Sequence, residues 1–107
     1  MARDVMAEIE KEIAENTMII YMKGTKEAPQ CGFSAATIQV LSRFGVPFKD
    51  INVLADHEKW SAIKQYSDWP TIPQVYIAGE FIGGCDIVRE MDANGELEPI
   101  VKKAFGS

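Results

Sequence analysis

The chain has 107 residues, 47% of them hydrophobic and 25% charged, a composition suited to one globular domain spanning residues 1–107 and unlike a disordered segment. Sixteen acidic against eleven basic residues leave a net charge of −5, and there is no basic run, which argues against nucleic-acid or anionic-membrane partners. The longest apolar run, Met18 to Met22, is far shorter than the ~20 residues of a membrane span, and two cysteines with one histidine cannot make a four-ligand zinc site. Met1 to Asp4 opens with no apolar stretch, so no signal peptide is expected. The expected compartment is the cytoplasm, or an organelle matrix if a targeting segment has been removed.

In chain order, Asp4 can cap a first helix running to about Glu15, with Met6, Ile9 and Ile13 on its apolar face and Glu8, Glu10, Lys11, Glu12 and Glu15 as a solvated one. Thr17–Met22 is almost wholly apolar, as expected of a strand buried on both faces. A polar, proline-containing loop from Lys23 to Gln30 leads into Cys31, after which Ala35, Ile38 and Leu41 repeat at helical spacing up to Phe44, with Gly45 as the stop. Phe48–Val53 reads as a second strand. Asp56 then caps a helix carrying Trp60, Ile63 and Tyr66 on one face. Trp69-Pro70-Thr71-Ile72-Pro73 cannot be helical. Gln74–Ala78 and Phe81–Ile82 form a hairpin across Gly79-Glu80, and a last helical region opens at Gly83-Gly84-Cys85-Asp86, breaks at Asn94-Gly95 and resumes to Phe105. The β-α-β unit followed by a hairpin predicts an α/β, thioredoxin-like fold: a small four-stranded mixed sheet with helices on both faces.

Three segments carry chemistry. Cys31 stands at a helix start, where amide N–H groups and the helix dipole lower a thiol's pKa, and Gly32 would let the backbone approach a ligand. A second thiol three residues on would close a disulfide, but that position is Ser34, so redox chemistry needs an external thiol or the distant Cys85. The peptide before Pro73 in Thr71-Ile72-Pro73 is a candidate for the cis form, which would turn the backbone of Ile72 outward toward an extended peptide. Gly84, Cys85 and Asp86 offer helix-start donors beside a carboxylate, a combination that suits the α-carboxylate and ammonium of an amino acid. His57 reads as a solvated first-turn residue, Phe33 as a shield beside the cysteine, and Met6, Met18, Met22 and Met91 as core fillers.

Cys31-Gly32-Phe33-Ser34, Trp69-Pro70-Thr71-Ile72-Pro73 and Gly83-Gly84-Cys85-Asp86-Ile87, with Lys23 in Tyr21-Met22-Lys23-Gly24, closely resemble the monothiol (CGFS-type) glutaredoxins in order and spacing over nearly the whole chain. The loop from Gly24 to Gln30 is of the lengthened kind that goes with weak oxidoreductase activity in that family. The resemblance implies that the protein binds glutathione and a [2Fe-2S] cluster. Such a cluster takes four thiolate-type ligands, and Cys31 and one glutathione from each of two subunits would supply them across a homodimer. It further implies that Lys23 and Lys64 meet the glycine carboxylate of glutathione, that the Ile72 backbone, in the Thr71–Pro73 turn, pairs with the cysteinyl part, and that Gly84, Cys85 and Asp86 hold the γ-glutamyl end. The implied role is iron–sulfur cluster carriage to acceptor apoproteins, with a BolA-like protein as a further partner. An alternative is glutathione-dependent thiol–disulfide exchange at Cys31, and a third reading is a Cys31–Cys85 redox sensor. One departure stands out: many members carry arginine where this chain has Trp60, and an indole cannot make an arginine's bidentate contact. Lys59 points elsewhere on its helix, whereas Lys64, one turn after Trp60, shares its side.

Overall fold

A computed structural model describes residues 3–106; Met1 and Ala2, in the opening where no signal peptide is expected, lie outside the described residues. The elements are α1 (Val5–Glu15), β1 (Met18–Met22), α2 (Gly32–Ser42), β2 (Lys49–Asn52), a 3₁₀ turn (Val53–Ala55), α3 (His57–Ser67), β3 (Gln74–Ile77), β4 (Glu80–Gly83), α4 (Cys85–Ala93) and α5 (Leu97–Ala104). The strands form one mixed sheet in the order β2-β1-β3-β4, with β1 parallel to β2 and antiparallel to β3. The fold is the expected thioredoxin-like α/β arrangement.

The sheet separates two apolar layers. All five residues of β1 are buried, and because strand side chains alternate faces, the even and odd positions serve different layers. Met18, Ile20 and Met22, with Val75 and Ile77, pack against α2, α4 and α5 through Ile38, Leu41, Val88, Leu97 and Val101. Ile19, Tyr21 and Tyr76 pack against α1 and α3 through Ile9, Ile13, Ala62 and Ile63. Full burial of each such side chain contributes about 1.5–3 kcal/mol. The unbroken apolar run of β1 is therefore a consequence of its central place in the sheet.

The caps at Asp4 and Asp56 form as read: Asp4 accepts the Ala7 N–H at 3.0 Å and Asp56 the Lys59 N–H at 3.1 Å. Other expectations are corrected. Helix α2 ends at Ser42, short of Phe44, so Gly45 lies beyond its Arg43 cap. The hairpin turns on Ala78 and Gly79, not Gly79 and Glu80; both have positive φ (53° and 82°), the pairing a two-residue turn needs to follow the sheet twist. The expected break at Asn94-Gly95 is present, and it divides the last helical region into α4 and α5. Met6 lies on the exposed side of α1 with 36% of its surface accessible, while Ile9 and Ile13 supply that helix's buried face. The acidic face of α1 is not simply solvated. Glu12 accepts the Tyr21 hydroxyl at 2.8 Å and pairs with Lys59, and Glu8 pairs with Arg3 and Lys59. Among the described residues no helix is long and apolar enough to cross a membrane.

Candidate functional site

Cys31 is the N-cap of α2, with extended backbone (φ −152°, ψ 136°), and its thiol is partly exposed. The Ser34 N–H aimed at the sulfur holds the Cys31 thiol below its ordinary value. Partial burial opposes this, and the Phe33 N–H, the Lys23 charge and the Ser34 hydroxyl add to the lowering. An N-terminal helix turn has free amides to offer, and here they are directed at sulfur rather than at a capping oxygen. Ser34 is fully buried, and its Oγ accepts the Lys23 N–H at 3.1 Å.

The loop ahead of Cys31 is tied back on itself. The Gln30 N–H donates to the Lys23 carbonyl at 2.9 Å, and the Gly24 N–H donates to Asn52 Oδ1 at 2.9 Å. Gly24 has φ +90°, and a Cβ there would stand 2.6 Å from both the Ala28 carbonyl oxygen and the Gln30 nitrogen, so only glycine fits. Gly32, by contrast, has nothing within 4 Å of where a Cβ would stand. Its surroundings leave room for a ligand but do not themselves require glycine.

Beside Cys31 runs a cleft of about 430 Å³ that brings together the residues the family resemblance assigns to glutathione. Lys23, just after β1, and Lys64, on α3, line it together with Thr71, Ile72 and Pro73, ahead of β3, and Gly84, Cys85 and Asp86, at the start of α4. Cys31 itself stands outside the lining, two residues before Phe33, which lines the cleft with 62% of its surface exposed. Trp60, Trp69, Pro70 and Ile87 complete the wall. Pro70 and Ile87 belong to the quoted motifs, but the sequence reading assigned them no contact.

The Ile72–Pro73 peptide is cis. The turn before it is held from beneath by Gln74, a fully buried polar residue that sequence reasoning passed over, though a glutamine in an apolar strand was a visible signal. Its Nε2 donates to the carbonyls of Trp69 at 3.1 Å and Thr71 at 3.3 Å, and its Oε1 accepts the Tyr76 hydroxyl at 3.0 Å. Gly84 packs closely against this turn: a Cβ there would lie 3.1 Å from the Pro73 carbonyl oxygen. The buried Nε1 of Trp69 has no hydrogen-bond partner among the described residues. Asp86 is exposed in the first turn of α4.

Trp60 both packs against the α1/α3 layer and lines the cleft. Lys23 Nζ lies 5.3 Å, and Lys64 Nζ 5.9 Å, from its ring centroid. Lys59 is directed away from the cleft, only 6% exposed, and pairs with Glu8 and Glu12. His57 is exposed and stacks on Trp60 with centroids 5.9 Å apart. Among the described residues no three His, Cys, Asp or Glu side chains cluster as metal ligands. Cys31 and Cys85 are both free thiols, Cys85 buried.

Comparison with known proteins agrees with this geometry. The Glutaredoxin family model matches residues 18–82. The chain is 53% identical over 94 residues to a probable monothiol glutaredoxin 2 of Rickettsia felis, covering 88% of this chain and 90% of that protein. It is 48% identical over 107 residues to an uncharacterized monothiol glutaredoxin ycf64-like protein of Synechocystis, covering all of both chains. Among solved structures, reduced poplar apo GrxS14 superposes with a TM-score of 0.83 at 44% identity, covering 94% of this chain and 93% of that one. The chain belongs to the glutaredoxin family, and these two curated relatives are named as monothiol glutaredoxins.

Proposed function

We propose that residues 1–107 form one glutaredoxin unit that binds glutathione in the cleft and carries a [2Fe-2S] cluster between two copies of the chain for transfer to acceptor apoproteins. The observation that carries this reading is the single accessible thiol, Cys31, with a buried Ser34 hydroxyl where a resolving thiol would stand. One such thiol per chain leaves a four-thiolate cluster short of ligands unless a second chain and external thiols complete it. The cleft suits glutathione as that thiol. Lys23 and Lys64 offer cations to its glycine carboxylate, and the turn at Ile72 offers backbone to its cysteinyl part. The start of α4 offers amides to the γ-glutamyl carboxylate, and Asp86 an acceptor for its ammonium. A partly exposed thiol held toward the thiolate form is suited to ligating iron.

The proposed compartment is the cytoplasm or an organelle matrix; relatives from Arabidopsis thaliana include proteins named as mitochondrial and chloroplastic. A BolA-like protein is a proposed further partner.

The experiment is anaerobic reconstitution with iron, sulfide and glutathione, comparing the wild type with Cys31→Ser. The wild type is expected to develop the visible charge-transfer bands of a cluster and the variant to stay colourless while remaining folded. A coloured Cys31→Ser protein would contradict the ligand assignment.

The lowered Cys31 thiol also supports a second reading, deglutathionylation. The thiolate would attack the glutathione sulfur of a mixed disulfide, expel the substrate thiolate and leave Cys31 glutathionylated. A second glutathione thiolate would then attack that bond, releasing glutathione disulfide and restoring the Cys31 thiolate. Turnover of a mixed-disulfide substrate by colourless apoprotein would favour this activity.

A further inference from the structure

Lys23 and Lys64 come from different parts of the fold, the residue after β1 and the last turn of α3, yet both ammonium groups stand over one indole, 5.3 and 5.9 Å from the Trp60 centroid. Neither is in an ion pair among the described residues. Two like charges facing one cleft repel, and long lysine side chains left to themselves would splay into water. The electron-rich ring face offsets that repulsion without occupying a hydrogen-bond donor, since a cation–π contact uses the charge and leaves the three N–H bonds of each ammonium free. Lys64 lies one turn after Trp60 on α3, so the ring meets it through ordinary helical spacing, while Lys23 is brought across from β1. The indole is itself fixed: one part packs into the α1/α3 layer and His57 stacks on it.

We propose that Trp60 is a positioning residue that gathers Lys23 and Lys64 into a paired cation site, and that this pair selects a ligand with a free carboxylate over one whose carboxylate is masked. The inference rests on the glutathione reading and adds to it how the carboxylate end is discriminated.

The test has a ligand-free arm and a binding arm. In ligand-free protein the ε-methylene protons of Lys23 and Lys64 should show upfield ring-current shifts by NMR that vanish in Trp60→Leu. Ordinary lysine shifts in the wild type would overturn the proposal. In calorimetric titrations the wild type should prefer glutathione to glutathione esterified at its glycine carboxylate. Trp60→Leu should weaken glutathione about three- to tenfold and the ester little, while Trp60→Phe, which keeps a weaker ring, falls between. Equal weakening of both ligands in Trp60→Leu would mark the indole as structural only and overturn the role. Should Trp60→Leu fail to fold, the Trp60→Phe titration and the wild-type lysine shifts decide the matter. Glutathione binding that Trp60→Leu leaves unchanged would overturn the role of Trp60 alone. No glutathione binding by the wild type, with the lysine shifts intact, would overturn the glutathione reading and the selectivity assigned here with it.

Discussion

Ser34 Oγ accepts the backbone N–H of Lys23 at 3.1 Å from a side chain with no solvent exposure. The bond ties the first turn of α2 to the end of β1, so the residue that occupies the place of a resolving thiol is also part of what fixes Cys31 beside Lys23. Removing the hydroxyl leaves a partly buried N–H without its acceptor, which costs at most about 1–3 kcal/mol. Ser34→Ala should therefore lower the denaturant midpoint by a corresponding amount. The Cys31 thiol should rise only part of the way to its ordinary value, because the Ser34 amide that contributes most to lowering it is retained. An unchanged midpoint would show that the bond does not stabilise the fold.

The state of Cys31 can be read by alkylation. Its rate with iodoacetamide should follow a titration below the ordinary thiol value of about 8.5, because the Ser34 and Phe33 amides and Lys23 favour the thiolate. Lys23→Gln should move that midpoint upward by less than the whole displacement, since the amides remain. Stability should respond in step. A thiol whose folded pKa is depressed contributes stability fully present above its unfolded value and lost as pH falls through the folded one. Relative to Cys31→Ser, the wild type should thus gain stability as pH rises through that window. A flat difference would contradict the lowered thiol.

Lys59 and Lys64 lie on one helix and should behave oppositely. Lys59 is buried and paired with Glu12 and Glu8. Lys59→Met strands Glu12 beside the Tyr21 hydroxyl and should destabilise the fold by about 2–4 kcal/mol, leaving the folded protein's glutathione affinity unchanged. Lys64→Gln should do the reverse, weakening glutathione binding with a stability change under about 0.5 kcal/mol. Thermal unfolding and calorimetry on the two variants separate the roles, and a loss of affinity in Lys59→Met would place it in the cleft against the geometry.

Arg3 bonds Glu8 at 2.5 Å and Asp56 at 2.6 Å, joining the start of α1 to the start of α3. Those bonds hold both the Glu8 and the Asp56 carboxyl down to about 2. Groups lowered in this way stabilise the fold above their ordinary values and lose that contribution as pH falls toward 2. Arg3→Ala should accordingly unfold at higher pH in an acid titration, with the gap from the wild type closing at the acid end and narrowing in high salt. Identical acid transitions would show that the cluster is solvated in solution.

Much of the fold was legible because local chemistry and tertiary burial agree. The five-residue apolar run became the strand covered on both faces, and Asp4 and Asp56 cap the helices they precede. Where a choice depended on turn geometry, one-residue errors followed, as at Ala78-Gly79, where alanine takes a left-handed conformation that its type does not advertise. The site was legible as local motifs, the Thr71–Pro73 turn and the Gly84–Asp86 helix start, and their meeting in one cleft is what the family resemblance implies. Contacts across the chain were not legible. Glu12 with Lys59, and Lys23 with Trp60, pair residues far apart in sequence, and no periodicity within either segment encodes the partner.

The central claim is most directly tested by the composition and mass of the reconstituted species. Wild-type protein loaded anaerobically with iron, sulfide and glutathione should run as a coloured dimer on size exclusion, with two iron, two sulfide and two glutathione per pair of chains, and should lose colour and revert to apoprotein when glutathione is removed. A coloured monomer, or a cluster that forms fully without glutathione, would contradict the account.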